Sequence, residues 1–254
     1  MKNYFIINIE GLDVSGKETL SNSLEKMIMN NMPADKKVKV IRHSFPTYDT
    51  RVGARISDIL ANVPIENRNQ KELDMMFAYD RLAIMSNFEK TFISNPDTFY
   101  ILILDRYYMS NLIYSLAADV RRGVTITDSS DKNILADYLL TSTNAGRQYD
   151  MERHVLPEPN IMYMIFEKDE VGRSKHEELI ESKEIKDLNE SMEFQSTLNK
   201  VISNYIDPNM NKFISEDSYY RSINIGENFG NTIIEDDCVE MVKNYLICYM
   251  MQEM

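Results

Sequence analysis

The segment from Glu10 to Thr19, EGLDVSGKET, constrains the fold more than any other stretch of the chain. It meets the pattern G-x-x-x-x-G-K-[ST] at Gly11, Gly16 and Lys17, then breaks it at the last position, where Glu18 stands in place of a hydroxyl residue. Such a loop needs a strand before it and a helix after it, so that backbone N–H groups converge on an anion at the helix N-terminus. Both flanks comply. Tyr4 to Ile9 (YFIINI) is a largely apolar run of buried-strand length, and Leu20, Leu24, Met27 and Ile28 follow at helical spacing. The N–H groups of Asp13, Val14, Ser15, Gly16 and Lys17 are therefore expected to face phosphates, with Lys17 reaching the terminal ones and Thr19 one residue beyond Glu18.

Downstream, strands and helices alternate. Lys37 to His43, Phe99 to Leu104, Ile161 to Phe166 and Tyr219 to Ile225 read as strands. Helices are expected over Arg51–Ala61, Gln70–Ile93 and Tyr108–Val120, and near the C-terminus over Asp236–Met251. In the long Gln70–Ile93 helix, Leu73, Phe77, Leu82, Ile84, Met85 and Phe88 fall near one face. Glu170 to Tyr205 reads as charged helix, break and helix. Repeated β–α units imply an α/β fold, a parallel sheet of about five strands covered by helices on both faces. The simplest organisation is one domain, 1–254, with a polar insertion at about 124–150 carrying a helix near 132–140, and a helical lid at about 168–190.

Composition limits what such a chain can do. At 254 residues it can bury a sizeable core, and its net charge of −12 argues against duplex nucleic acid or an anionic membrane as the main partner. Cys238 and Cys248 lie ten apart on one expected helix, too far for a mutual disulfide, so both are read as reduced and the protein as cytoplasmic. No run approaches the ~20 apolar residues of a membrane span. His43, His154 and His176 lack metal-ligand spacing and are read as structural. Val239, Val242 and Leu246, with Met250, Met251 and Met254, form a stripe that is either core or subunit contact.

Asp105 and Arg106 end the most apolar strand, at the edge of an open α/β sheet where ligands bind. An aspartate there can hold Mg²⁺ as a Walker-B carboxylate does, and an adjacent arginine offers a planar fork to a second phosphate. The structural alternative is that Asp105 caps the following helix with Arg106 paired to it, but a position at a strand end downstream of a phosphate loop favours the functional reading.

EGLDVSGKET, SFPTYDTRVG, MFAYDR, LDRYYMSNLIY and LPEPN, in this order, resemble the thymidylate kinase family over most of the chain. The resemblance implies a P-loop kinase fold with a lid, and transfer of the γ-phosphoryl group of ATP to dTMP with Mg²⁺ in a homodimer. By matched position it implies that Asp13 binds the acceptor's 3′-hydroxyl and that Phe77 stacks on the base. Arg81 is implied to read O4, Arg106 to grip the acceptor phosphate and Tyr107 to crowd the 2′ position. Phe45, Ser110 and Tyr114 would line the pocket.

Three departures stand beside it. Glu18 replaces the hydroxyl that ligates Mg²⁺, and its carboxylate is a hard ligand of its own. Tyr48 occupies the place of an arginine after Phe45-Pro46, leaving Arg51 as a substitute for that cation or as a solvated helix residue. The loop supplies no catalytic arginine, so Arg173 and Lys175 are the candidates from the lid, Arg173 first, with Lys183 behind them. A kinase for another deoxynucleotide or a modified pyrimidine, and an inactive nucleotide-binding protein, are the competing readings.

Overall fold

The computed structural model describes residues 2–33, 37–124, 126, 132–182, 188–227 and 233–251. Five parallel strands form one sheet: β1 (Tyr4–Gly11), β2 (Val38–Ser44), β3 (Phe99–Asp105), β4 (Ile161–Phe166) and β5 (Tyr219–Asn224), in the order β2-β3-β1-β4-β5. The sheet expected from the sequence is thus present, each strand within about two residues of its expected bounds. β1, β3 and β4 are buried along nearly their whole length, which is why they read as continuous apolar runs and not as alternating ones. Chain direction reverses its winding between β1 and β3, so the carboxyl ends of those strands open a crevice. Ile9 pairs with Asp105 across that opening.

Helices cover the sheet. α1 (Lys17–Asn31) follows the loop, and α2 (Arg51–Asn62) and α3 (Gln70–Ser94) join β2 to β3. α4 (Tyr108–Arg121), α5 (Lys132–Ser142) and α6 (Asn144–Val155) lead to β4. α7 (Glu170–Glu181), α8 (Met192–Val201) with a π-helical turn at 202–206, and the short α9 (Met210–Phe213) precede β5; α10 (Ile233–Met251) closes the chain. Val239, Val242 and Leu246 of α10 are buried, and Tyr245 packs edge-on against Phe5 at 5.2 Å, so that stripe is core. The side chains of Met250, Met251 and Met254 lie outside the described residues. Leu82 differs from expectation: it is exposed on α3 together with Met75 and Tyr79, whereas Leu73 and Met85 are buried.

α6 had no clear signal, because its composition is polar. Thr143 caps it, its hydroxyl accepting the Gly146 N–H at 2.8 Å, and the helix buries Tyr149 and Glu152 against α4 and α3. Neither cysteine forms a disulfide; Cys238 is buried and Cys248 exposed. Among the described residues no helix is long and apolar enough to cross a membrane.

Candidate active site

The loop after β1 has the geometry of an anion cradle. Gly11 (φ 137°) is required, since a Cβ there would lie 2.1 Å from the Ile165 carbonyl oxygen. Val14 (φ 58°) and Gly16 (φ 96°) are left-handed, a conformation that turns successive N–H groups inward at a cost for the β-branched valine. The N–H groups of Val14, Ser15 and Gly16 carry no hydrogen bond among the described residues. Asp13 corrects the expectation: its N–H is taken by Gln195 Oε1 at 2.9 Å and is not free for a phosphate.

An open cleft runs along this loop, lined by Asp13 to Thr19, Phe45, Tyr48, Asp105, Arg106, Leu179 and Gly226. Lys17 Nζ donates to the Leu12 carbonyl at 2.5 Å, and burial first, then the charge of Arg106, lowers its ammonium to about 8. Asp105 Oδ1 is buried without a hydrogen-bond partner, as is Ser15 Oγ. Asp105 therefore neither caps α4 through that oxygen nor spends it on Arg106. An orphaned carboxylate oxygen beside a phosphate cradle suits a hard divalent cation. Glu18 is exposed on the rim of the same cleft.

Arg106, also left-handed at φ 66°, turns back across the loop. Its guanidinium is ion-paired with Asp13, donates to the Gly11 carbonyl at 3.1 Å, and lies 5.1 Å from the Tyr114 ring. Beyond it opens a second cavity, and Asp13, Phe45, Tyr48 and Arg106 line both. Its walls are Phe45, Leu60, Phe77 and Tyr114; its polar groups come from Asp13, Arg81, Arg106, Ser110, Asn111 and Asn189. A narrow apolar slot with a few aimed polar groups is the form of a site for a flat heterocycle.

The sequence-expected residues divide. Phe45, Phe77, Arg81, Ser110 and Tyr114 come together with Asp13 and Arg106. Tyr107 does not: it is fully buried, its hydroxyl donates to the Pro157 carbonyl at 3.3 Å, and it is absent from the lining. Tyr107 precedes α4 in extended backbone, which turns its ring into the core against Phe45, whereas Tyr114, two turns into α4, shares the cavity face with Ser110. Arg51 opens α2 exposed and lines neither cavity, so Tyr48 stands there without that substitute. Arg173 is exposed and paired with Glu170 at 3.1 Å, away from the cleft lining. Lys175 comes nearer; a Cβ on the cleft residue Gly226 would lie 3.1 Å from its Cγ. Lys183 lies outside the described residues.

Among the residues that the sequence reading did not place at the site, four are informative. Gln195, His176 and Asn111 each bond to a site residue or line the base-side cavity, and Glu152 backs it. Asn111 lies three residues before Tyr114, so helical spacing within α4 could have found it. The other three meet partners 71 to 182 positions away and carry no local signal.

Comparison with known protein families matches residues 9–137 to the thymidylate kinases. No curated protein matches the chain. Among solved structures, the fold is similar to that of thymidylate kinase from Candida albicans, described as revealing the origin of broad substrate specificity and a novel structural element. The similarity has a TM-score of 0.55 at 20% identity, covering 95% of this chain and 92% of that one. The chain belongs to the thymidylate kinase family and is a nucleoside monophosphate kinase.

Proposed function

We propose that the two cavities hold ATP phosphates and dTMP respectively, and that Asp13 and Arg106 at their junction present the acceptor phosphate to the donor. That junction carries the reading, because phosphoryl transfer is mainly positioning and charge neutralisation between two bound anions. The free N–H groups of Val14 to Gly16 cradle the donor and Lys17 reaches its terminal phosphates. Arg106 holds the acceptor phosphate. Asp13 is within reach of the sugar, Phe77 and Phe45 enclose the base, and Tyr114 takes the sugar-side position assigned to Tyr107 from the sequence.

Asp105, with Glu18 from the rim, would hold Mg²⁺, which when bound neutralises charge on the transferring phosphates. The lid cation is Lys175 in preference to Arg173, from its approach to Gly226. A second copy of the chain is proposed to pack on α3, where Met75, Tyr79 and Leu82 are exposed at spacings of four and three. A cytoplasmic setting is part of the same reading, as neither Cys238 nor Cys248 forms a disulfide.

The test is turnover of a panel of deoxynucleoside monophosphates with ATP and Mg²⁺. Turnover of dTMP well above dAMP and dGMP is expected. ATP binding with no monophosphate turned over would sink the proposal.

A further inference from the structure

Behind the far wall of the base cavity lies a buried ion pair. Arg81 of α3 and Glu152 of α6 are 1% and 0% exposed. Arg81 donates from Nε and Nη2 to the two Glu152 oxygens, at 2.7 and 2.9 Å. The oxygen that receives Nη2, Oε1, also accepts from Asn111 Nδ2 at 2.8 Å. Asn111 Nδ2 gives its other hydrogen to the Asp74 carbonyl at 3.1 Å.

This arrangement fixes which atoms face inward. An amide whose two N–H bonds are both engaged must present its oxygen elsewhere. Asn111 lines the cavity, and its Oδ1 has no donor among the described residues. Arg81 also lines the cavity, and its Nη1 has no acceptor among them. Because both side chains share Glu152 Oε1, an acceptor and a donor stand next to each other on one wall.

We propose that Glu152 is a positioning residue that selects the pyrimidine, holding Asn111 as acceptor and Arg81 as donor against the N3–H and O4 of a keto base. A 4-amino pyrimidine offers the opposite pair, an unprotonated N3 and an N–H, and meets acceptor with acceptor and donor with donor. Built hydrogen-bonding sites reject such mismatches strongly because buried polar groups are left unpaired. This inference rests on the reading of the cavity as the dTMP site. A carboxylate can only accept from Asn111, whereas an amide at 152 can also donate to Asn111 Oδ1 and let that side chain turn over.

The experiment compares kcat/KM for dTMP and dCMP in the unaltered protein and in Glu152→Gln. The dTMP-to-dCMP ratio is expected to fall by about 10-fold or more, with KM for ATP within about twofold. A purely structural role would lower both activities together, and an unchanged ratio overturns the inference. Should Glu152→Gln not fold, Arg81→Gln is compared with Arg81→Gln/Glu152→Gln, which leaves no buried charge at either position. The double variant is expected to be several-fold less selective than the single one; equal selectivity overturns the inference. An unaltered protein that turns over neither nucleotide overturns the dTMP reading itself, and the inference with it. A selective parent with an equally selective Glu152→Gln overturns the inference alone.

Discussion

Gln195 holds Asp13 by main chain and side chain at once. Its Oε1 accepts the Asp13 N–H at 2.9 Å, and its Nε2 donates to the Asp13 carboxylate at 2.8 Å. The same carboxylate receives Arg106 and the Tyr114 hydroxyl. His176 meets the Asp13 carbonyl through Nε2 at 2.8 Å; a carbonyl only accepts, so that nitrogen carries a proton. Side chains from α4, α7 and α8, with Arg106 just ahead of α4, thus converge on one loop aspartate. Burial pushes its carboxyl upward, but Arg106, Lys17, Tyr114 and Gln195 together hold it below the usual carboxylate value.

Gln195→Ala removes two of these restraints and leaves the Asp13 N–H without its partner. Losing such bonds costs about 1–3 kcal/mol, so kcat/KM for dTMP is expected to fall roughly 5- to 100-fold. KM for ATP should change much less, since the free N–H groups of Val14 to Gly16 are untouched. Steady-state kinetics with each substrate varied decides it, and an unaltered kcat/KM for dTMP would count against the restraint.

Nucleotide binding should draw a proton into the site. Burial and the neighbouring Arg106 charge bring Lys17 to about 8 in the phosphate-free protein, so near pH 8.5 a large part of the population is neutral there. Arriving phosphates favour the ammonium and raise its pKa again. Calorimetry of ATP binding at pH 8.5 in two buffers of different ionisation enthalpy should therefore give different heats. Lys17→Met should abolish the difference, and equal heats for the parent protein would refute the uptake.

The local signals in this chain were strong where the physics is local. Buried parallel strands announce themselves as unbroken apolar runs, so Phe99–Asp105 and Ile161–Phe166 were readable to within a residue. The loop at Gly11–Lys17 was readable because anion binding dictates its glycines. That Tyr107 turns into the core while Tyr114 lines the cavity had another origin. Both are tyrosines near an arginine, and only the extended backbone at 107 decides which ring turns into the core. Arg173 and Arg51 looked useful as cations, but Arg173 is paired with Glu170 and Arg51 is exposed at the start of α2 outside both cavity linings, which a list of charges does not weigh. Glu152 sat in a polar stretch whose importance appears only when α6 docks on α3 and α4.

Asp74 gives the fold a pH dependence of definite sign. Burial raises its carboxyl from 3.8 to about 6, although Ser115 and Gln70 donate to it at 2.6 and 2.7 Å. Between about pH 4 and 6 the folded chain holds a proton that the unfolded chain has released, so this group's contribution to stability falls as pH rises through that window. Asp74→Asn keeps an acceptor for both donors and removes the titration. Denaturant unfolding at pH 4.5 and 7 should show the variant gaining on the parent at the higher pH, by on the order of 1–3 kcal/mol. A gap between variant and parent that is the same at both pH values would exclude Asp74 as the source.

Glu18 sets the last prediction. The cleft it borders contains the cations Lys17 and Arg106 against the carboxylates Asp13, Asp105 and Glu18. ATP therefore enters a site whose own charge does not favour a polyanion, and a divalent cation must supply the difference. With Asp105 Oδ1 unpartnered, the carboxylate at 18 can share that cation; without metal it repels the γ-phosphate. Glu18→Ser should strengthen metal-free ATP binding several-fold while raising the Mg²⁺ concentration needed for half-maximal turnover. Titrations of ATP with chelator present, and of Mg²⁺ against rate, separate the two effects. If neither quantity moves, Glu18 points away from both the metal and the phosphate, and the broken loop pattern is a surface substitution.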